Sequence, residues 1–292
     1  MTVLGAGGFI GRALSARLAV RGVSARTLTR ANAGTLGPAT DWPKLLDGAR
    51  TVIHLASRAH VRTNEPGWIA AEVATAAALS RAARQCGVAR LVFMSSIKAM
   101  GETSGERGFR ADTPPQPVDD YGRAKLAIEA ALQDAPGLAI LRPPLVYGPG
   151  VKANFRALLA AVARGLPLPL ASIRNRRAFI FIDNLLDMVE ALLAPDAPGG
   201  IYLMRDDDEV STPELVRRIA RSMARAPRLL PCPPGLLRAA LRCVGRSEAA
   251  EALLGSLSID DGATRALLGW RPRVSLDDGL AATCRWFKDA AA

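Results

Sequence analysis

The chain has 292 residues, 49% of them hydrophobic, and a formal net charge of +11. That length allows a well-buried core in one large domain or two modest ones. No apolar run reaches the ~18 residues of a membrane span, and the N-terminus lacks the charged, apolar and small-residue regions of a signal peptide, so a cytoplasmic protein is expected.

Cys86, Cys232, Cys243 and Cys284 are scattered without a CxxC pair. Free, mostly buried thiols are the expectation, with no disulfide and no metal site. The positive charge raises the question of nucleic-acid binding. Yet only five of the 38 basic residues are lysine, aromatic residues make up 5%, and no aromatics interleave with the denser arginine groups at 174–177 and 217–228. Stacking platforms for single strands are therefore not visible. Solvated basic faces, or an anionic small molecule, are expected rather than a nucleic-acid partner.

In chain order, "TVLGAGGFIGRALSARLAVRG" reads as a short apolar strand, a glycine turn and a helix ending at Gly22. Segments 23–29 and 51–56 read as strands, 68–86 as an Ala-rich helix and 89–96 as a buried strand. A helix follows around Tyr121, then a strand over 138–144. This alternation predicts right-handed βαβ units and a doubly wound, Rossmann-like parallel sheet in an α/β fold. The texture changes near residue 145, where loop-rich segments flank a helix. Residues 1–145 are expected to form the dinucleotide-binding core and 146–292 a smaller, interleaved substrate lobe, with 179–195 a candidate to return to the sheet. "STPELVRRIARSMAR" (211–225) opens on a capping box, Ser211 or Thr212 ahead of Glu214.

Gly5, Gly8 and Gly11 stand in a GxxGxxG spacing between strand and helix, where glycine permits a tight turn and close approach to a pyrophosphate. About 20 residues later, NAD-binding folds usually carry an acid for the ribose 2′-hydroxyl. Here the stretch is "LTRANAGTL", with Arg30 and no acid. An arginine there suits a 2′-phosphate, which favours NADP over NAD. A solvent-facing arginine reads the same way in so arginine-rich a chain.

"DDYGRAKLAIEAAL" (119–132) places Tyr121 and Lys125 four apart, about 40° around a helix, on one stripe with Ile128 and Leu132. A tyrosine of pKa ~10 is a poor base at neutral pH. An inward lysine ammonium a turn away, beside a nicotinamide, favours its phenolate and can hold the cofactor ribose. "FMSS" ends the preceding strand, so Ser95 or Ser96 can hydrogen-bond the reacting oxygen.

This set resembles the extended short-chain dehydrogenase/reductase superfamily over essentially the whole chain. "VIHLASRAHV", "FMSSIKAMGE", "RPPLVYGPGVKANF", "GLPLPLASIRNRRAF", "IDNL" and "LLGSLSIDDGATRALLGWRPRVSLDDGL" resemble its bacterial nucleotide-sugar 4-epimerases and 4-ketoreductases, the enzymes of polysaccharide and O-antigen pathways. The resemblance implies an NAD(P)-dependent enzyme acting at C4 of a UDP-hexose. It puts Ser96, Tyr121 and Lys125 at the catalytic positions. It puts Phe9, Ile10, Leu55, Ala56 and Pro143 at the cofactor together with the glycines, and Lys98, Asn154 and Arg177 at the substrate. Arg177 has a separate appeal, since it follows Arg174 and Arg176 and needs an anion. Lys98 reads equally as an exposed loop lysine.

Three positions depart from the family: the first strand is short, Glu72 stands where Asn is common, and Thr35 where Asp is common. A homodimer is left open. His54, on an apolar strand, reads as a satisfied core histidine, and His60 as a loop residue without an assigned role. The acidic run 206–209 reads as a solvated turn, and Trp270 as a packing anchor. Two other functions remain. One is a non-catalytic dinucleotide- or nucleic-acid-binding scaffold. The other is action on a lipid-linked diphosphosugar at the membrane surface, for which "PPGLLRAALRCVGR" (233–246) offers leucines and arginines on a helix.

Overall fold

The computed structural model describes residues 1–56, 66–243, 245 and 247–290. His60 therefore lies outside the described residues. The chain runs β1 (Thr2–Leu4), α1 (Phe9–Val20), β2 (Arg26–Leu28), α2 (Arg30–Ala33), α3 (Trp42–Leu46), β3 (Thr51–His54), α4 (Trp68–Gln85), β4 (Arg90–Met94), α5 (Asp120–Ala131) and β5 (Ala139–Arg142). It continues through β6 (Leu145–Tyr147), α6 (Ala153–Ala163), β7 (Phe179–Phe181), α7 (Ile182–Ala191), β8 (Gly200–Leu203) and α8 (Thr212–Ser222). The last helices are α9 (Pro234–Cys243), α10 (Ser247–Leu254), α11 (Gly262–Leu268) and α12 (Leu276–Asp289).

Six strands form a parallel sheet in the order β2-β1-β3-β4-β5-β8. The order reverses at β1, which is flanked by β2 and β3. A crevice at the carboxyl ends of strands is where such sheets hold ligands. Side chains alternate across the sheet as a period of two requires. Leu91 and Phe93 join a core with Trp42, Leu79 and Ile128 from α3, α4 and α5. Val92 and Met94 face the other core, with Leu14 and Leu18 of α1 and the α7 leucines. Both faces are covered, as expected of a sheet rich in Val, Ile and Leu.

The segment at 179–195 does not extend this sheet. Its strand β7 pairs with β6 in a separate two-stranded parallel sheet, and the sixth strand of the main sheet is β8. Helix α7 then packs on α1, where Arg17 bonds Asp187 and Glu190. Half of the capping box forms: Ser211 Oγ accepts from the Glu214 amide at 3.3 Å, while the Glu214 carboxylate pairs with Arg217 and Arg218.

The acidic run is a correction. Asp206 is fully buried. It accepts from Tyr147 Oη at 2.8 Å, from Asn184 Nδ2 at 2.7 Å and from the Phe181 amide. Burial pushes its carboxyl pKa up despite those bonds. Glu209 is covered too, accepting from Ser258 Oγ and the Ile259 amide. Only Asp207 and Asp208 face water, paired with Arg265 and Arg218. The thiols are also less buried than expected: Cys284 is buried, Cys86 and Cys232 are half-buried and Cys243 is exposed. Trp270 is buried, with the Arg265 guanidinium 6.0 Å from its ring.

Candidate active site

Gly5 closes β1 with φ +83°, the left-handed region that glycine reaches without strain. A Cβ there would lie 2.6 Å from the Ala56 nitrogen, so Gly5 lets the β1 and β3 ends meet. Leu55 donates its amide to the Leu4 carbonyl at 2.9 Å in the same junction. At Gly11 a Cβ would sit 2.3 Å from the Gly5 carbonyl oxygen, which explains a glycine inside the first turn of α1. Gly8 is the N-cap of α1. No side chain caps that helix and no acid occupies its first turn, while Phe9 and Ile10 are half-buried beside it. A helix start with its amides uncapped, above a glycine turn at a strand-order reversal, fits a dinucleotide pyrophosphate.

Arg30 is exposed in the first turn of α2, just past the end of β2, and Thr35 is exposed beyond that helix. Pro143 is buried, and its carbonyl accepts from the Ile97 amide at 2.9 Å. That bond ties the end of β5 to the 3₁₀ turn Ile97–Ala99, which Ser96 caps by accepting from the Lys98 amide at 3.2 Å.

The two serines separate in role. Ser95 is buried, and its hydroxyl bonds Glu129 of α5. Glu129 is itself held by Arg142 of β5, with Nε at 3.0 Å, and both side chains are almost wholly buried. Ser96 is half-buried.

Helix α5 starts on Asp119, whose Oδ1 accepts from the Gly122 amide at 2.6 Å. Gly122 is the residue that allows α5 to close on the serine turn, because a Cβ there would lie 2.3 Å from the Lys98 carbonyl oxygen. The stripe read from the sequence is present: Tyr121 is half-buried, and Lys125, Ile128 and Leu132 are buried. Lys125 donates to the Met94 carbonyl at 2.7 Å. Its Nζ sits 4.7 Å above the Phe93 ring and 5.8 Å from the Tyr121 ring. Burial pulls the Lys125 pKa down to about 8, against the charges of Glu72 and Glu129, which favour the ammonium. The departure at Glu72 thus puts a carboxylate where it supports Lys125.

His54 is buried at the end of β3 with its ring 5.4 Å from Phe93. Burial, then the charge of Lys125, bring its pKa down to about 3, so the ring is neutral. It is a core histidine but not a satisfied one, since Nδ1 has no hydrogen-bond partner.

The substrate candidates are more dispersed. Lys98 Nζ lies 2.5 Å from Asp119 and 3.4 Å from Glu102. Burial opposes its charge, but those two carboxylates hold its pKa above the ordinary value. Asn154 is exposed in the first turn of α6, next to Ala153, whose φ of 51° is left-handed. Arg177 is mostly covered and already committed. Its Nη1 donates to the Gly255 carbonyl at 3.0 Å, and nearby Glu102 favours its charge against burial. Within the three-arginine stretch, Arg176 pairs with Glu209 at 2.9 Å, whereas at Arg177 burial outweighs the charge of Glu102 and holds the guanidinium pKa below its ordinary value. Glu129, Arg142 and Gly122 were missed in the sequence. A glycine in the turn after a tyrosine was the one available signal.

A parallel sheet with a glycine turn where the strand order reverses defines a Rossmann-like dinucleotide-binding enzyme. The chain belongs to the NAD dependent epimerase/dehydratase family, whose model matches residues 1–204. It is similar to UDP-glucose 4-epimerase of Vibrio cholerae, 36% identical over 270 residues covering 88% of this chain and 82% of that protein. It is also similar to ceramide reductase of Caulobacter vibrioides (strain NA1000 / CB15N), 29% identical over 322 aligned positions, covering 99% and 95%. Among solved structures, MoeE5 in complex with UDP-glucuronic acid and NAD matches with a TM-score of 0.79 at 25% identity, covering 99% of both chains.

Proposed function

We propose that the protein acts at C4 of a UDP-hexose, as a 4-epimerase or 4-ketoreductase in the synthesis of polysaccharide or O-antigen sugars. The observation that carries this reading is Lys125, buried against Phe93 and the Met94 carbonyl within 5.8 Å of the Tyr121 ring and one strand end from Ser96. The similarity to a UDP-glucose 4-epimerase over 88% of the chain supports the substrate class.

In this reading Tyr121 takes the proton of the C4 hydroxyl, or returns it in the reductive direction. Its ionisation is eased by the Lys125 ammonium, which Glu72 and Glu129 help keep charged. The Ser96 hydroxyl bonds the same sugar oxygen, since Ser95 is held by Glu129. Gly5, Gly8, Phe9, Ile10, Leu55, Ala56 and Pro143 line the dinucleotide, and Lys125 meets its ribose. When bound, the nicotinamide supplies and accepts hydride. Arg30 favours NADP by offering a guanidinium to a 2′-phosphate. Asn154 contributes to the diphosphate.

The test is incubation of purified protein with UDP-hexoses and their 4-keto derivatives, with and without NAD(P)H, followed by product analysis. Interconversion of C4 epimers without net cofactor use identifies an epimerase, and stoichiometric consumption of NAD(P)H a reductase. No turnover of any of these sugars would overturn the reading. Tyr121→Phe should retain cofactor binding and lower turnover by roughly 10²–10⁴-fold, the range for losing a general acid/base.

A further inference from the structure

Helix α9 has no buried residue among its ten. Leu237 and Leu241 turn inward and pack against the main core. The opposite stripe, at spacings of three and four, holds Leu236, Ala239, Ala240 and Cys243, all exposed. Leu236 is 64% exposed and Leu230, on the approach to the helix, 50%. Three prolines lie between those two leucines. An ordinary surface helix turns charge to water on this side; here both sides are apolar.

The charge around this face is one-sided. From Met223 to Ser247 the chain has five arginines and not one Asp or Glu. Arg225 and Arg228 are exposed ahead of α9. On the helix, Arg238 and Arg242 share a single carboxylate, Glu251, at 3.1 and 3.7 Å. Arg242 flanks the apolar stripe with its side chain 62% exposed.

We propose that this face of α9 seats on an anionic lipid bilayer, with Leu236 at the headgroup–acyl boundary and the arginines among the phosphates. An amphipathic surface with arginine beside leucine matches both layers of such an interface. A second copy of the chain matches less well, since meeting face to face would bring like charges together. A nucleic acid would engage the arginines and leave the leucines in water. Among the described residues no helix is long and apolar enough to cross a membrane, so this seating is peripheral.

The test is co-sedimentation of the full chain with vesicles of phosphatidylcholine plus phosphatidylglycerol, and with phosphatidylcholine alone. Binding to the anionic vesicles only, weakening as salt rises, is expected. Leu236→Asp should reduce it about tenfold or more, the scale of one leucine's apolar burial, with an unchanged melting temperature because that side chain is largely in water. Arg225→Gln with Arg228→Gln should weaken binding and flatten its salt dependence. Absence of binding, equal binding to neutral vesicles, or full binding by Leu236→Asp would each overturn the proposal. Duplex DNA binding that persists in Leu236→Asp while vesicles are ignored would assign the arginines to nucleic acid. A dimer that Leu236→Asp dissociates would assign the face to a second copy.

Discussion

Gly122→Ala sets two effects of similar size against each other. Inside a helix, alanine is favoured over glycine by about 1 kcal/mol. A Cβ at this position would however lie 2.3 Å from the Lys98 carbonyl oxygen and 3.0 Å from its carbon. That neighbour is backbone, in the turn tied to Pro143, and it cannot swing aside. Restoring an ordinary contact requires α5 and the turn to part by about 1 Å, and overpacking of this kind costs about 1–3 kcal/mol. The net expectation is a loss of up to about 2 kcal/mol, read from urea unfolding. The larger effect falls on chemistry, because the shift separates Tyr121 from Ser96. A misplacement of ~1 Å can lower turnover about 10²-fold. Turnover of whichever UDP-hexose the product assay yields is compared with cofactor affinity, which should change far less since the glycine turn is elsewhere. A variant that is more stable than the parent and equally active would mean that α5 does not rely on this approach.

Arg30→Ala should weaken NADP(H) by about 1.5–3 kcal/mol, as for a charged hydrogen bond, and leave NAD(H) little changed; equal losses in a titration with both, or tighter native binding of NAD(H), would refute the NADP preference. His54 stays neutral down to about pH 3 in the folded chain, whereas the unfolded chain takes up a proton near 6.5. Its contribution to stability is complete above pH 6.5 and declines below it by about 1.4 kcal/mol per pH unit. His54→Phe should remove that slope in parallel urea titrations, and identical slopes would place the ring in water. Arg177→Lys should lower the melting temperature, because lysine cannot reproduce the guanidinium's reach to the Gly255 carbonyl. A change confined to UDP-sugar affinity would instead return Arg177 to the substrate.

The pairing of Tyr121 with Lys125 was legible because helical periodicity is local: four residues separate them, and one stripe carries both inward. The glycine turn was legible for the same reason. The clamp of Ser95, Glu129 and Arg142 was not, since these residues meet only when β4 pairs with β5 and α5 packs across them. Asp206 was misread because an acidic run is locally a solvated turn. Its burial comes from Tyr147 and Asn184, which lie on other elements. Arg177 was read through its arginine neighbours, while its bonding partner lies in the segment after α10. Composition could not show that Glu72 reaches Lys125, only that the position departs from the family.

The strand β8 has a consequence for how the chain is made. Five strands of the sheet lie within residues 2–142, but β5 gains its outer neighbour only at Gly200–Leu203. The intervening stretch builds β6, α6, β7 and α7 away from that edge. On a ribosome, the amide and carbonyl row of β5 therefore waits unpaired while that stretch is synthesised, open to a neighbouring nascent chain. Asp206 follows three residues after β8, and its bonds to Tyr147, Phe181 and Asn184 then latch the returning strand. Synthesis stalled ahead of residue 200 would leave a sticky sheet, and release past 206 would seal it.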